Sequence, residues 1–262
     1  MKIGVTSMVF FARPLEESIR AIARCGFDYV EIWLEHFWRH DEMPDAGRIR
    51  DVLDEVGIEA TVHCPVMDVN TTSANPIIRE VSIAQMVEAA RFAQGINARL
   101  MVLHPGRLTS AKEAPELHWK RQFETVCRVV KEAKSLGVQI GLENMEIDNP
   151  RHTVRDHVHL KRIMEECHLP DLGITLDTAH MRDTDKVIEF IDAMGSVIIH
   201  THISDSTADQ LHLLLGQGNL DFPRIFEALE SVGYEGVLSL ETFIPGDEEI
   251  LKAQRETLLS YF

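Results

Sequence analysis

Short apolar runs rich in β-branched residues recur eight times along the chain, separated by longer stretches with helical spacing. Apolarity that runs through a segment without alternating is typical of parallel strands covered on both faces. The predicted strands are KIGVTS (2–7), YVEIWL (29–34), IEATVH (58–63), RLMVLH (99–104), VQIGLE (138–143), LGITLD (172–177), VIIHTHI (197–203) and GVLSLE (236–241). Any fold of this chain must therefore cover eight such strands.

The stretches between these runs have one-sided helical patterns. Over residues 116–136, apolar side chains recur at spacings of three and four, as in a helix with one buried stripe. Eight strand–helix units in 262 residues predict a single (β/α)8 TIM-barrel domain over residues 1–262. A doubly wound sheet is the alternative. However, the segment TSMVFFARP after the first strand is not the glycine-rich phosphate loop that such sheets often have.

The charge balance bears on the class of partner. The chain has 42 acidic and 26 basic residues, which gives a formal net charge of −16. DNA-binding surfaces need lysine and arginine facing phosphates. After the predicted third and seventh strands, no basic residue occurs before Arg79 and Arg224, respectively. We therefore expect a small-molecule partner and no nucleic acid.

The ends of the chain and its cysteines bear on location. The N-terminal segment MKIGVTSMVFFARP has too short an apolar run for a signal peptide and is interpreted as the first strand. No apolar run approaches the roughly 20 residues that span a bilayer, so we expect no membrane association. The four cysteines show no CxxC spacing, which argues against a disulfide framework or a structural zinc site. These features predict a cytoplasmic protein.

Titratable residues gather at one end of the predicted strands. In a (β/α)8 barrel the active face lies at the carboxyl ends of the strands. Six strands bring a carboxylate or an imidazole there, namely His63, His104, Glu143, Asp177, His202 and Glu241, and His180 follows three residues after Asp177. A lone histidine at a strand end is more often structural, and a lone carboxylate is often a helix cap. Six such residues on one rim favour a functional site.

The three carboxylates in this set point to a bound cation. Glu143, Asp177 and Glu241 have no lysine or arginine beside them in sequence. Converging carboxylates repel one another unless a cation neutralises them. We expect one divalent ion, which on ligand type is Mn²⁺, Mg²⁺, Co²⁺ or Zn²⁺. No strand end has a lysine for Schiff-base chemistry, and the chain has no GxSxG nucleophile motif.

Seven short motifs run in order through most of the chain. They are VHCP (62–65), LHPG (103–106), LEN (142–144), LDTAH (176–180), HISDS (202–206), LHLLLGQG (211–218) and LSLET (238–242). Together they resemble the xylose-isomerase-like TIM-barrel superfamily, which contains sugar isomerases and epimerases, dehydratases and the endonuclease IV family. The resemblance implies a metal-dependent isomerase or epimerase of a small polyhydroxylated substrate, a sugar, ketose or sugar phosphate. The alternatives are a dehydratase of a cyclic polyol or keto acid, and a zinc phosphodiesterase acting on abasic-site DNA.

The resemblance to the epimerase-type members also implies roles for individual residues. The metal ligands would be Glu143, Asp177, His202 and Glu241. Glu143 and Glu241 would also be the catalytic pair, one removing a proton next to a carbonyl and the other returning one, through a metal-stabilised enediolate. The expected substrate contacts are His63, His104, His180, His212, Asn144 and Trp33. Trp33 has packing as an alternative role, and Asn144 has support of a ligand carboxylate.

The endonuclease IV branch uses three zinc ions. Its first site matches His63, His104 and Glu143, its second matches the four ligands above, and its third needs His180, His212 and an aspartate two residues before His212. Gln210 occupies that position, and a neutral amide is a poor zinc ligand. His212 is therefore expected to touch substrate, with a structural loop role as the alternative. Members of this superfamily often self-associate, so a homo-oligomer stays open, and the pattern does not show which face of its strand Glu31 occupies.

Overall fold

A computed structural model describes residues 1–169, 172–243 and 246–262 of the chain. Within these ranges, eight parallel strands pair in chain order and close into a barrel. The strands are β1 (Lys2–Thr6), β2 (Tyr29–Trp33), β3 (Glu59–His63), β4 (Leu100–Leu103), β5 (Gln139–Glu143), β6 (Leu172–Asp177), β7 (Ile198–Ile203) and β8 (Val237–Leu240). The predicted (β/α)8 barrel is therefore confirmed.

Four strands, β1, β2, β4 and β8, end one residue earlier than the apolar pattern predicts, and the ends of β4 and β8 bear on the site. Pairing of β4 with β5 stops at Leu103, and pairing of β8 with β7 stops at Leu240. His104 and Glu241 are consequently the first residues of the loops that follow, although both were predicted as strand ends. An apolar run shows where a strand can form, but the last ladder pair depends on the neighbouring strand, which lies far away in sequence.

Helices cover the outside of the barrel. They are α1 (Leu15–Arg24), α2 (Glu35–Trp38), α3 (Ala46–Val56), α4 (Pro76–Gly95), α5 (Pro115–Ser135), α6 (His157–Cys167), α7 (Thr184–Met194), α8 (Phe222–Ser231) and α9 (Glu248–Leu259). The helix predicted over 116–136 is α5, and its apolar stripe packs on the barrel. Aspartate side chains at Asp45, Asp156, Asp183, Asp221 and Asp247 accept backbone N–H groups at the start of the helices that follow.

Side chains alternate across β2 and settle the orientation of Glu31. Val30 and Ile32 belong to the apolar core. Glu31 and Trp33 are buried on the opposite face, where Glu31 bonds histidines of β7 and Trp33 stacks on His63 of β3. Glu31 therefore points into the barrel.

A glycine lets two of the site-bearing strands approach each other. Gly141 of β5 lies opposite Gly173 of β6 in the ladder, and a Cβ at position 141 would collide with the Thr175 hydroxyl. Since Glu143 follows Gly141 by two residues on the same face, the close approach also brings Glu143 towards Asp177 at the end of β6.

One cysteine pair corrects an expectation. Cys127 of α5 and Cys167 of α6 form a disulfide, with Cα atoms 5.8 Å apart, whereas the sequence argued against disulfide bonding. The bond joins neighbouring helices across 40 positions. CxxC spacing identifies cysteines that are close in sequence. It cannot identify a pair that comes together only when two helices pack side by side. Cys25 and Cys64 are buried free thiols.

None of the described helices is both long enough and apolar enough to span a bilayer.

Candidate metal centre

Four side chains from consecutive strands meet at the carboxyl mouth of the barrel. Glu143 ends β5, Asp177 ends β6, His202 lies near the end of β7, and Glu241 follows β8. One ligand atom from each lies within 4.8 Å of the others, and all four residues are buried. The structure thus brings together the four residues expected to hold the metal.

His202 is the centre of this cluster. Its Nδ1 atom lies 3.0 Å from Glu241 Oε2, 3.3 Å from Glu143 Oε1 and 3.8 Å from Asp177 Oδ2. One imidazole nitrogen therefore faces three carboxylates, which is the donor set of a hard to borderline divalent ion.

The hydrogen bonding of the cluster is incomplete in the way a metal site requires. Among the described residues, Glu143 Oε2, Asp177 Oδ2, Glu241 Oε2 and His63 Nε2 are buried polar atoms without a well-oriented hydrogen-bond partner. Buried oxygens are normally hydrogen-bonded, because leaving one unpaired costs about 1–3 kcal/mol. The donor set and its unused lone pairs fit a divalent cation.

Burial and nearby charge have opposite effects on the pKa values of the carboxyl groups at the site. Burial alone would raise the pKa of Glu143, but positive charge on His104 and His202 outweighs it and holds that pKa well below its usual range. Glu241 behaves alike, with its pKa lowered to about 2 because His202 and His212 outweigh burial. Asp177 differs, since burial raises its pKa to about 6. The positive charge of the histidines therefore stabilises the ionised carboxylates, as a bound cation would.

Two further clusters adjoin the central one and share its carboxylates. His104 Nε2 lies 2.9 Å and His63 Nε2 3.7 Å from Glu143 Oε2. On the other side, His180 and His212 gather with Asp177. Four histidines predicted as substrate contacts, His63, His104, His180 and His212, thus lie around the four expected ligands; whether they touch substrate stays a prediction.

His212 belongs to this rim despite a strained backbone. Its φ angle is +53°, in the left-handed region that side chains other than glycine seldom adopt. Its ring packs edge-on against His180, with centroids 5.3 Å apart, and Nδ1 lies 3.7 Å from Glu241 Oε2. Gln210 and Asp209 are exposed, so neither completes a third metal site in the described structure.

Asn144 and Trp33 lie behind the ligands. The Asn144 amide donates to the Asp177 carbonyl oxygen at 3.0 Å and accepts from the Asp177 N–H at 2.8 Å. We interpret Asn144 as a brace for Asp177, and its contact with substrate stays a prediction. The Trp33 ring stacks on His63 with centroids 4.0 Å apart, and the residue is 6% exposed.

Three buried polar residues were not singled out as site residues by sequence reasoning. Glu31 and His200 lie beneath the ligands, and Asp205 supports the loop that carries His212. The sequence contained a signal for His200, because His200 and His202 are two positions apart on β7 and therefore share a face of the strand. Asp205 bonds backbone N–H groups of a loop, and a pattern of residue types in the sequence does not reveal such bonds.

The fold and this set of carboxylates and histidines at the mouth place the protein among closed parallel barrels with a candidate metal site. A sequence model of the xylose isomerase-like TIM barrel family matches residues 19–261, and the chain belongs to that family. The family resemblance found in the motifs is therefore confirmed.

Individual relatives are similar over nearly the whole chain. An uncharacterised protein of Methanocaldococcus jannaschii is 32% identical over 256 residues, which cover 92% of this chain and 83% of the relative. A ketose 3-epimerase of Arthrobacter globiformis is 28% identical over 261 residues, covering 93% and 84%. The crystal structure of a D-tagatose 3-epimerase-like protein superposes with a TM-score of 0.85 at 29% identity, covering 99% of both chains. These relatives confirm the prediction of an enzyme of the sugar isomerase and epimerase type.

Proposed function

We propose that the protein is a metal-dependent ketose epimerase that inverts the carbon next to the substrate carbonyl. The observation that carries this proposal is the convergence of Glu143 and Glu241 on either side of Asp177 and His202, where one oxygen of each carboxylate has no well-oriented hydrogen-bond partner among the described residues. Relatives named as ketose 3-epimerase and L-ribulose 3-epimerase support the substrate class.

The chemistry follows from the placement of the two glutamates. They occupy the two ends of an arc of four strands, β5 to β8, so a substrate lying over the arc meets one carboxylate on each side. One glutamate enters the step ionised and accepts the proton from the carbon next to the carbonyl, while the other enters protonated and donates its proton to the opposite face, so the two exchange protonation states. A bound divalent ion would supply the positive charge that polarises the carbonyl and stabilises the enediolate.

Both glutamates are buried, which favours the proposed proton transfers. Glu143 is 1% and Glu241 3% exposed. Water is largely excluded around them, so electrostatic interactions with substrate are strong. His104, whose side chain is 27% exposed, is more accessible than His63, and we propose that it contacts a substrate hydroxyl.

Exchange of a substrate proton with solvent tests the scheme. In D₂O with saturating Mn²⁺, we expect the wild type to incorporate deuterium next to the carbonyl of at least one of D-tagatose, L-ribulose and D-fructose. Glu241→Gln, checked for metal content and folding, should lose epimerisation because it lacks one of the two proton carriers, whereas Glu143 still exchanges the proton of the epimer that faces it. Glu235→Gln makes the same change at an exposed position before β8 and should retain both activities. Retained epimerisation in metal-loaded Glu241→Gln would refute the two-glutamate scheme.

A second candidate is a zinc phosphodiesterase of the endonuclease IV type. The observation in its favour is the pair of flanking clusters, His63 with His104 and Glu143, and Asp177 with His180 and His212. The formal net charge of −16 and the neutral Gln210 argue against it. Incision of an abasic-site duplex by the zinc-loaded protein, without deuterium exchange into any ketose, would favour this candidate over the epimerase.

A further inference from the structure

A second polar layer lies directly beneath the candidate metal centre. Glu31 of β2 is 1% exposed, and its carboxylate accepts from two histidines of β7. Oε2 lies 2.6 Å from His200 Nε2, and Oε1 lies 3.0 Å from His202 Nε2. The Thr61 hydroxyl is 3.4 Å from Oε2. One buried carboxylate is therefore held by two imidazoles across the barrel.

The position of Glu31 determines how His202 presents its ring. Nδ1 of His202 faces Glu143, Asp177 and Glu241, and Nε2 faces Glu31. An ionised carboxylate only accepts hydrogen bonds, so the proton between Glu31 and His202 lies on Nε2. When that proton stays on Nε2, the lone pair of a neutral imidazole lies on Nδ1 and points into the ligand cluster.

We infer that Glu31 is a positioning residue that makes His202 an Nδ1 ligand of the metal. The carboxylate fixes the ring orientation, places the proton on Nε2 and raises the basicity of Nδ1, as carboxylates behind metal-binding histidines generally do. The inference rests on His202 as a ligand and not on the reaction catalysed. It therefore holds for the epimerase and for the phosphodiesterase alike.

His200 gives Glu31 its fixed orientation. His202 Nε2 lies 3.0 Å from Oε1 and 3.2 Å from Oε2 of Glu31, and His200 Nε2 adds a bond to Oε2, so two imidazoles restrain the carboxylate. Both histidines are fully buried. The arrangement is costly to bury unless it is fully paired, which argues for a role beyond filling space between β2 and β7.

Glu31→Gln tests the inference because an amide can donate where the carboxylate accepts. An amide N–H directed at His202 Nε2 would favour the proton on Nδ1, where it competes with the metal. Glu35→Gln is a matched control, since Glu35 is also 1% exposed, and its carboxylate bonds the backbone N–H groups of Val66 and Met67 at 2.5 and 3.1 Å. Each substitution replaces one buried carboxylate by an amide, but of the two residues only Glu31 contacts His202.

Metal affinity is the first measurement. We expect calorimetric titration with Zn²⁺ or Co²⁺ alone to show a dissociation constant raised about 10–100-fold in Glu31→Gln. Glu35→Gln should bind within about twofold of the wild type. Wild-type affinity in folded Glu31→Gln, or an equal loss in Glu35→Gln, would overturn the inference. No substrate is present in this measurement, so failure of the proposed epimerase reaction leaves it unaffected.

The protonated nitrogen is the second measurement, and it needs no variant. In zinc-loaded wild type labelled with ¹⁵N-histidine, we expect His202 to show a protonated Nε2 and a zinc-bound Nδ1. Zinc on Nε2, or a protonated Nδ1, would contradict the inference even if Glu31→Gln does not fold. Glu31→Asp should show partial recovery of affinity relative to Glu31→Gln, because it keeps an accepting carboxylate on a shorter side chain.

Discussion

Asp205 is the residue that places His212 at the mouth of the barrel. Its buried carboxylate accepts four backbone N–H groups from the loop after β7, those of Ser206, Gly216, Gly218 and Leu220, at 2.7–3.1 Å. A Cβ at position 218 would collide with the carboxylate, so a glycine is needed there. The single side chain thus closes the loop and helps hold His212 at its positive φ angle.

Replacing Asp205 should loosen this loop. We expect Asp205→Ala to lower the free energy of unfolding by about 3 kcal/mol, because two buried and two part-buried N–H groups lose their acceptor. Hydrogen exchange should speed up over residues 206–220. Urea denaturation and exchange mass spectrometry provide the two measurements.

The controls for this prediction lie in the same loop. Asp209→Ala changes an exposed aspartate and should alter stability by no more than about 0.5 kcal/mol. Asp205→Asn keeps one accepting oxygen and should fall between the two. Unchanged exchange over 206–220 in Asp205→Ala would contradict the role assigned to the carboxylate.

At the level of elements, the site residues lie at the ends of strands, whereas a disulfide links two helices away from the site. The ligand-bearing ends belong to β5, β6, β7 and the loop after β8, while the disulfide joins α5 to α6 on the outer layer. Outer-layer stability and site chemistry are therefore separable by mutation.

The disulfide should contribute to stability alone. Its two cysteines are 40 positions apart, and closing a loop of that size in the unfolded chain stabilises the fold by about 4 kcal/mol. We expect reductant, or the double change Cys127→Ser with Cys167→Ser, to lower the free energy of unfolding by about this amount.

Thiol counting and metal titration check the assignment. Denatured, unreduced wild type should show two free thiols of the four cysteines, and reductant should not affect the double variant. Metal affinity should be the same in both proteins. Four reactive thiols in the unreduced wild type would contradict the disulfide.

For the whole molecule, the dominant electrostatic feature is an acidic chain with buried carboxylates gathered at one mouth. The formal net charge is −16, and the cluster adds local repulsion among Glu143, Asp177 and Glu241. A ligand that binds only the folded protein stabilises it, and a divalent ion also relieves this repulsion.

Metal should therefore raise global stability. At a free Mn²⁺ or Zn²⁺ concentration 100 times the dissociation constant, we expect a gain of about 2.7 kcal/mol in the free energy of unfolding over chelator-treated protein. Asp177→Asn, which lacks one ligand carboxylate, should gain much less. Thermal unfolding with and without EDTA measures both.

Metal content of the folded protein distinguishes the two candidate functions at this scale. About one tightly held ion per chain agrees with the epimerase proposal, whereas about three zinc ions agree with the phosphodiesterase. Identical unfolding of the wild type with and without chelator would contradict a metal centre of either kind.

Much of the fold was predictable because strand and helix periodicity is a local property. The eight strands, α5 and the identity of the residues at the mouth all follow from apolar patterns and from side chains at run ends. The exact ends of β4 and β8 did not, since the last ladder pair depends on the neighbouring strand.

Local patterns also could not predict the pairing of Cys127 with Cys167 or the direction of Glu31, for a related reason. Both depend on how elements distant in sequence pack against each other. Residue spacing within one helix or strand does not encode the rotation of that element against its neighbours.

The sequence by itself determined the architecture, the family and the set of residues that reach the barrel mouth, because these depend on periodicity and on residue type. Only the tertiary structure decided that Glu31 and His200 lie behind His202, and that Asp205 holds the loop of His212. Those contacts join residues up to 171 positions apart. Distances of 3 Å between them exist only once the barrel has closed and β2 faces β7 across its interior.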